Sequence, residues 1–445
     1  MPSRAGLPPG PRGPRAVSAA RFLLQPTGFL EACRDRYGSL FTLEISKGRI
    51  VVLSSDPAVA REVLTGDPAL LYAGEGNVVL RPLLGPRSVL LLDGPEHLRQ
   101  RRLLLPSFHG ERMRAYGERI AAIAREQLAH WPVGEPVAAR ETMQAITLEV
   151  ILRVVFGVED RARSERLAEP LRQLLDAAVQ PGRLLLLQFT RSEGARPRSP
   201  WGRLKQMMAP ADAMIYEEIA ARRAELAAGS GGRDDILSLL LEARDEDGAP
   251  MTDAELRDEL MTLLVAGHET TATALSWTLE RVTREPAVLA RLEREAASGW
   301  RDGTVYLDAV ITETLRLRPV VPAVVRKLQA PMAFGGWQLP AGVNIAPSIW
   351  LIHHDPVLYP EPHAFRPERF LRRRPGTYEW IPFGGGVRRC LGASFALFEM
   401  RVVLQEVFAA ARLAPAPGAA PERIVRRFVT FTPADGGRIT VAAKR

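Results

Sequence analysis

The chain has 445 residues, 46% hydrophobic and 25% charged, with a net charge of +8 that arginine carries for the most part. This is the composition of a soluble globular protein. Its two cysteines, Cys33 and Cys390, exclude a disulfide framework or a four-thiolate metal site and leave Cys390 free to bind something in a reducing interior. The basic balance favours acidic partners, but no basic-aromatic motif accompanies it, which sets nucleic acid aside. No apolar run approaches a membrane span, and the N-terminus lacks the apolar core of a signal peptide, so a cytoplasmic protein is expected.

Residues 1–20 predict a flexible, Pro-rich lead-in to one large domain over 21–445, since no internal repeat or second core is evident. A short helix over 29–37 precedes two β-rich runs, 39–45 and 49–55, which Ser46-Lys-Gly48 joins as a hairpin. Asp56-Pro57 is a helix start, and 72–92 is a loop with an apolar surface. A helix beginning at Asp93 sets His97 and Arg101 on one face. Helical patterns follow over 111–130 and 140–156. Two long helices over 162–228 are broken by an irregular stretch, 181–200, whose apolar run 184–187 and Phe189 predict a mobile, apolar segment.

Thr252-Asp-Ala-Glu255 is a capping box that opens a helix running to about residue 284. Within it, Ala266-Gly267 lets something approach the helix closely, at a cost of about 1 kcal/mol for the glycine. Thr270 can bond back to the Ala266 carbonyl and open the ladder there. Tight packing against a neighbouring helix explains the small residues equally well. A helix over 306–317 carries Glu313 and Arg316 on one face, and 320–325 is apolar and extended. Strands are expected over 343–349 and 427–431, and an ordered meander over 357–379.

Phe383-Gly-Gly-Gly-Val-Arg-Arg-Cys390-Leu-Gly392 is a tight loop that feeds a helix. The unpaired N–H groups and dipole of a helix start favour a thiolate at Cys390, and haem iron is one metal that accepts a thiolate. Taken alone, such a cysteine is more often a buried small hydrophobe, and a glycine run more often a turn.

Together Phe383, Gly386, Arg388, Cys390 and Gly392 resemble the haem-binding signature of the cytochrome P-450 family, the haem-thiolate monooxygenases. The segment from Ala266 to Thr271 resembles that family's oxygen-activating helix, with Glu269 and Thr270 as the acid–alcohol pair that holds and passes protons. Glu313 and Arg316, with Arg369 of Pro367-Glu-Arg369-Phe370, resemble its structural triad. By position His97, Arg101, Arg326 and Arg388 match its propionate partners, and Phe383 would pack beside the thiolate.

The resemblance spans the chain from about Phe29 to the C-terminal strands and matches poorly over 181–203. It implies a mainly α fold with small β-sheets, a single large helical domain. Haem b would be buried between the oxygen-activating helix and the cysteine-loop helix. The implied reaction inserts one atom of O2 into a C–H or C=C bond of an apolar substrate. With no dinucleotide fingerprint in the chain, NAD(P)H would act through a ferredoxin and its reductase on a monomer. Arg372, Arg373, Arg374 and Arg389 offer either a docking patch or a generally basic surface. Val79, Leu80, Leu263, Ala266, Val324, Val325 and Phe431 are the candidate cavity lining. Fatty acids, terpenes, steroids and polyketides all remain open as substrates. A peroxide-using enzyme and a non-catalytic haem sensor are the alternatives, and the intact Glu269–Thr270 pair argues against both.

Overall fold

The computed structural model describes residues 6–46, 49–108, 112–178, 199–229, 233–301, 303–427 and 429–445. The apolar run 184–187 and Phe189, the centre of the Ser46-Lys-Gly48 turn and most of the irregular stretch lie outside them. The architecture is organised on the helix Asp253–Thr283. Its Thr252–Glu255 capping box forms in both directions, satisfying two otherwise orphaned donors at the first turn. Twenty-two of its 31 residues are buried, so it is a central core helix with neighbours on most sides. Ala139–Val150, Pro200–Ala227, Val305–Leu317 and Ala393–Ala410 pack against it. Arg112–Leu128 lies on the far side of the last of these. One apolar cluster runs through all of these helices.

The β structure is peripheral. A five-stranded sheet orders Leu40–Ser46, Arg49–Ser54, Asn344–Pro347, Arg326–Leu328 and Leu71–Tyr72, with a single parallel pairing between the second and third. Its two faces feed separate small clusters, one around Val52 and Ile345 and one around Phe41 and Phe431, as alternation along a strand requires. Strand Arg326–Leu328 ends directly beside the extended run 320–325, which joins this sheet to the helical body.

The N-terminal lead-in packs on the first strand: Leu7 is buried, and the Thr42 backbone N–H and hydroxyl donate to the carbonyls of Pro9 and Pro8 at 2.9 and 2.7 Å. Proline lacks an N–H, but its carbonyl still accepts from a strand edge. Arg15–Leu24 then forms a helix. The 140–156 helix ends in a π-helical turn, Ile151–Val155, closed by Phe156 N–H to Ile151 O at 3.2 Å. The 343–349 strand stops at Pro347, where Ser348 caps a short helix, Ile349–His353. Last, Thr270 Oγ does donate to Ala266 O at 2.5 Å, yet the helix stays α through this point.

Candidate active site

The loop before Cys390 is fixed by its backbone. Gly384 and Gly386 take φ of +67° and +62°, and a Cβ on Gly386 would stand 1.8 Å from Leu64 O. Only glycine fits there. Cys390 N–H donates to Phe383 O at 3.0 Å, closing the loop, and Phe383 itself meets Trp380 edge-on at 6.1 Å. Gly392 caps Ala393–Ala410 and aims its N–H at the Cys390 sulfur.

Cys390 is exposed by surface, yet protein crowds it enough that burial raises its thiol pKa, against the Gly392 N–H, Arg101 and Arg389. Both observations fit a side chain that lines an internal recess. Burial opposes the thiolate, while the Gly392 N–H at the helix start favours it, as do the neighbouring arginines.

Around the loop stand the four expected basic residues. Arg101 donates to Arg389 O at 2.8 Å, and Arg326 is buried with only the Val325 carbonyl at 3.0 Å. Neither has a carboxylate within ion-pair reach among the described residues. Burial lowers the Arg326 pKa to about 10, with Arg388 adding to the effect. The His97 side chain is buried and has no hydrogen-bond partner among the described residues. Burial, then Arg388, Arg101 and Arg326, push its pKa down to about 3, so it is neutral at ordinary pH.

Arg388 is already engaged, donating to Asp93 Oδ1 at 2.6 Å and to the carbonyls of Leu92 and Val89 at 2.5 and 3.1 Å. Three arginines against one aspartate leave two uncompensated positive charges. Of these Arg326 is buried and Arg101 half-buried; leaving such charges without an anion is costly, and two propionates would match them.

On the long helix, Ala266 is exposed and Thr270 half-buried although both lie mid-helix in the core, so this face borders open space. Gly267 instead faces the π-helical turn, with Ile151 Cδ1 3.4 Å from where its Cβ would be. Glu269 is 7% exposed and turns away from Thr270. Its two oxygens accept from Arg140 Nη2 at 2.7 Å and Gln144 Nε2 at 2.8 Å on Ala139–Val150. Neighbouring His268 is buried against Thr147 Oγ at 2.8 Å.

Behind the cysteine loop, Glu313 accepts from Arg316 Nε and Nη2 at 2.7 and 2.9 Å, from Arg369 Nε at 3.2 Å and from Arg366 N–H at 2.8 Å. Glu313 and Arg316 are fully buried. Arg316 Nη1 reaches His353 O at 2.8 Å, and His353 Nε2 accepts the Ile381 N–H at 2.9 Å. The network thus braces the start of the cysteine loop.

Val79, Leu80, Leu263, Val324 and Val325 are half-buried. Phe431 lies deeper, in an apolar cluster that Val325 also packs against. It is 1% exposed, edge-on to Trp350 at 6.0 Å, with its carbonyl accepting from Trp277 Nε1 at 3.3 Å. The strand's alternation turns it into the sheet-side core.

Three residues escaped the sequence reading. Asp93 looks like a helix cap but makes no side-chain cap bond; it accepts backbone N–H groups from 73–75 instead. Arg140 and Gln144 share a helix face by their i,i+4 spacing, but nothing in the sequence names Glu269 as their partner.

The donor chemistry fits a haem: one soft sulfur, cations for two carboxylates, and apolar walls on a helix face. Among the described residues no group of His, Cys, Asp and Glu could hold a metal by itself. This defines a haem-thiolate protein. A family profile described as Cytochrome P450 matches residues 8–441. The chain belongs to the cytochrome P450 family and is a haem-thiolate monooxygenase. It is similar to a Mycobacterium bovis protein described as cytochrome P450 135B1, 45% identical over all of this chain and 93% of that one. A cytochrome P450 135A1 of Mycobacterium tuberculosis is 40% identical over 99% of this chain and 96% of its own length. Among solved structures, the retinoic acid-bound cyanobacterial CYP120A1 superposes with a TM-score of 0.85 at 26% identity, covering 99% of both chains. No helix among the described residues is long and apolar enough to cross a membrane.

Proposed function

We propose that this enzyme hydroxylates or epoxidises an apolar organic molecule in the cytoplasm as a monomer, with electrons passed from NAD(P)H through a reductase and a ferredoxin. The observation that carries the site assignment is the pair of uncompensated cations, Arg101 and Arg326, beside the exposed Cys390. Cys390 ligates the haem iron. Arg101 and Arg326 hold the propionates, with neutral His97 donating one hydrogen bond. Arg388 steadies the cradle from its place on Asp93. The bound haem supplies dioxygen activation.

Thr270 and Glu269 handle protons at that face, and Arg140 and Gln144 hold the Glu269 carboxylate in place between turnovers. The candidate walls Val79, Leu80, Leu263, Ala266, Val324 and Val325 carry no charge, which supports an apolar substrate. The likeness to a protein that binds retinoic acid supports an isoprenoid or long-chain acid first in any screen. Arg372, Arg374 and Arg389 are exposed and make no ion pair among the described residues, whereas Arg373 meets Glu379 at 2.7 Å. Three free cations support docking of an acidic ferredoxin.

The test is the dithionite-reduced spectrum with carbon monoxide, followed by oxygen uptake with ferredoxin, reductase and NADPH on terpenoid and fatty acids. A far red-shifted Soret band that Cys390→Ala abolishes is expected. No Soret band after haem supplementation would overturn the assignment. Turnover with hydrogen peroxide but none with the redox partners would mark a peroxide user instead.

A further inference from the structure

We propose that Asp93 is a positioning residue that ties the wall of the substrate cavity to the cysteine loop, so that the two are set as one piece. The proposal rests on the haem-thiolate site described above. One carboxylate does the joining. Its Oδ1 accepts from the backbone N–H groups of Ala73 and Gly74, both at 2.9 Å, and from Arg388 Nη2 at 2.6 Å. Its Oδ2 accepts from Glu75 N–H at 3.1 Å. Arg388 stands two residues before Cys390 and also grips the Val89 and Leu92 carbonyls.

Three stretches distant in sequence, 73–75, 89–93 and 388, therefore meet at one charge. The fit is close. A Cβ on Gly74 would stand 2.2 Å from Leu91 O and 2.7 Å from Asp93 Oδ2. The side chains of Asp93 and Arg388 are 12% and 10% exposed, so solvent screens the pair far less than a surface ion pair.

What hangs from this junction is the wall itself. Gly76 lies against Val325, with Cγ1 3.2 Å from its would-be Cβ, and Glu75 pairs with Lys327. Asn77 Nδ2 donates to Leu90 O at 3.2 Å, and its carbonyl accepts from Leu80 N–H at 2.8 Å, which starts the 3-10 turn carrying Val79 and Leu80. The far end is held by the long helix. There Asp258 accepts from Arg87 N–H at 2.9 Å, Glu259 from Val89 N–H at 2.8 Å, and Thr262 Oγ donates to Ser88 Oγ at 2.7 Å. Of these anchors Asp93 is the one that also grips the cysteine loop. Where Val79, Leu80 and Val325 stand relative to the Cys390 sulfur is thus set through its carboxylate.

The test uses two iron-binding probes on the haem-loaded full chain. Imidazole needs only the iron's open position, whereas 4-phenylimidazole must also seat its ring against the cavity wall. Optical titrations of wild type, Asp93→Ala and Asp93→Glu are compared. Asp93→Ala should leave imidazole affinity unchanged within about twofold and weaken 4-phenylimidazole by about tenfold, which is about 1.4 kcal/mol. Asp93→Glu keeps the charge and should recover part of that loss.

Equal weakening of both probes would mean general loosening and would overturn the proposal, as would no change in either. If Asp93→Ala takes up no haem, Gly74→Ala disturbs the same junction from the loop side and is judged by the same ratio. A wild type without the red-shifted carbon monoxide band would sink the haem-thiolate assignment itself, a separate outcome.

Discussion

Replacing Glu313 with glutamine tests how far the buried ionic network carries the cysteine loop. Glu313 accepts four hydrogen bonds, three of them from guanidinium groups, at full burial. Glutamine keeps the shape but removes the charge and turns a donor toward Arg316 or Arg369. The buried Arg316 cation is then left without its counter-ion, which costs about 3–5 kcal/mol. For 445 residues the unfolding entropy near the melting temperature is about 0.9 kcal/mol/K, so Tm should fall by roughly 3–5 °C.

Haem content should fall with it, because Arg316 holds the His353 carbonyl and His353 in turn accepts the Ile381 N–H that begins the loop. Differential scanning calorimetry and a pyridine haemochrome assay on the purified holoprotein measure the two. In an Arg316→Met background the same Glu313→Gln change should cost about 1–3 kcal/mol less, since only the less buried Arg369 then loses its partner. A single variant with Tm within about 1 °C of wild type and full haem content would refute the reasoning.

Gly386→Ala must fit a Cβ 1.8 Å from Leu64 O at a φ of +62°. The loop should distort and the haem-to-protein ratio should drop severalfold, read by absorbance. Thr270→Ala should leave haem content unchanged and release more hydrogen peroxide per NADPH consumed; unchanged coupling would remove Thr270 from the proton path.

Glu399 is 3% exposed with its Oε1 unpartnered among the described residues, and burial pushes its carboxyl up to about 8. Between about pH 4.5 and 8 the unfolded chain has released this proton while the folded chain keeps it. Stability therefore falls as pH rises, by up to about 1.4 kcal/mol per pH unit. Glu399→Gln should flatten the slope of Tm across that window; equal slopes would show that Glu399 finds a partner in solution.

Much of the site was legible because its requirements are local. The Thr252 capping box and the Thr270 back-bond each depend on residues within four positions of one another, so spacing alone specifies them, whereas Gly386 also answers to the distant Leu64 carbonyl. The Glu313–Arg316 pair is local too, while the reach of Arg369 to it follows only from the family resemblance. The surroundings of Phe431 were not legible, because all four residues of its strand are buried and alternation does not say which element covers each face.

By itself the sequence determined the cysteine loop and the long central helix, since these follow from backbone geometry, periodicity and residue chemistry, while the cations around them were named only by the family resemblance. Only the tertiary structure decided which charges are spent on one another. Arg388 is committed to Asp93 and Glu269 to Arg140, leaving Arg101 and Arg326 free for an anion. Those pairings join segments up to 295 residues apart. They depend on where the packed helices bring side chains together, and the energy of an ion pair depends on distance and burial rather than on separation along the chain.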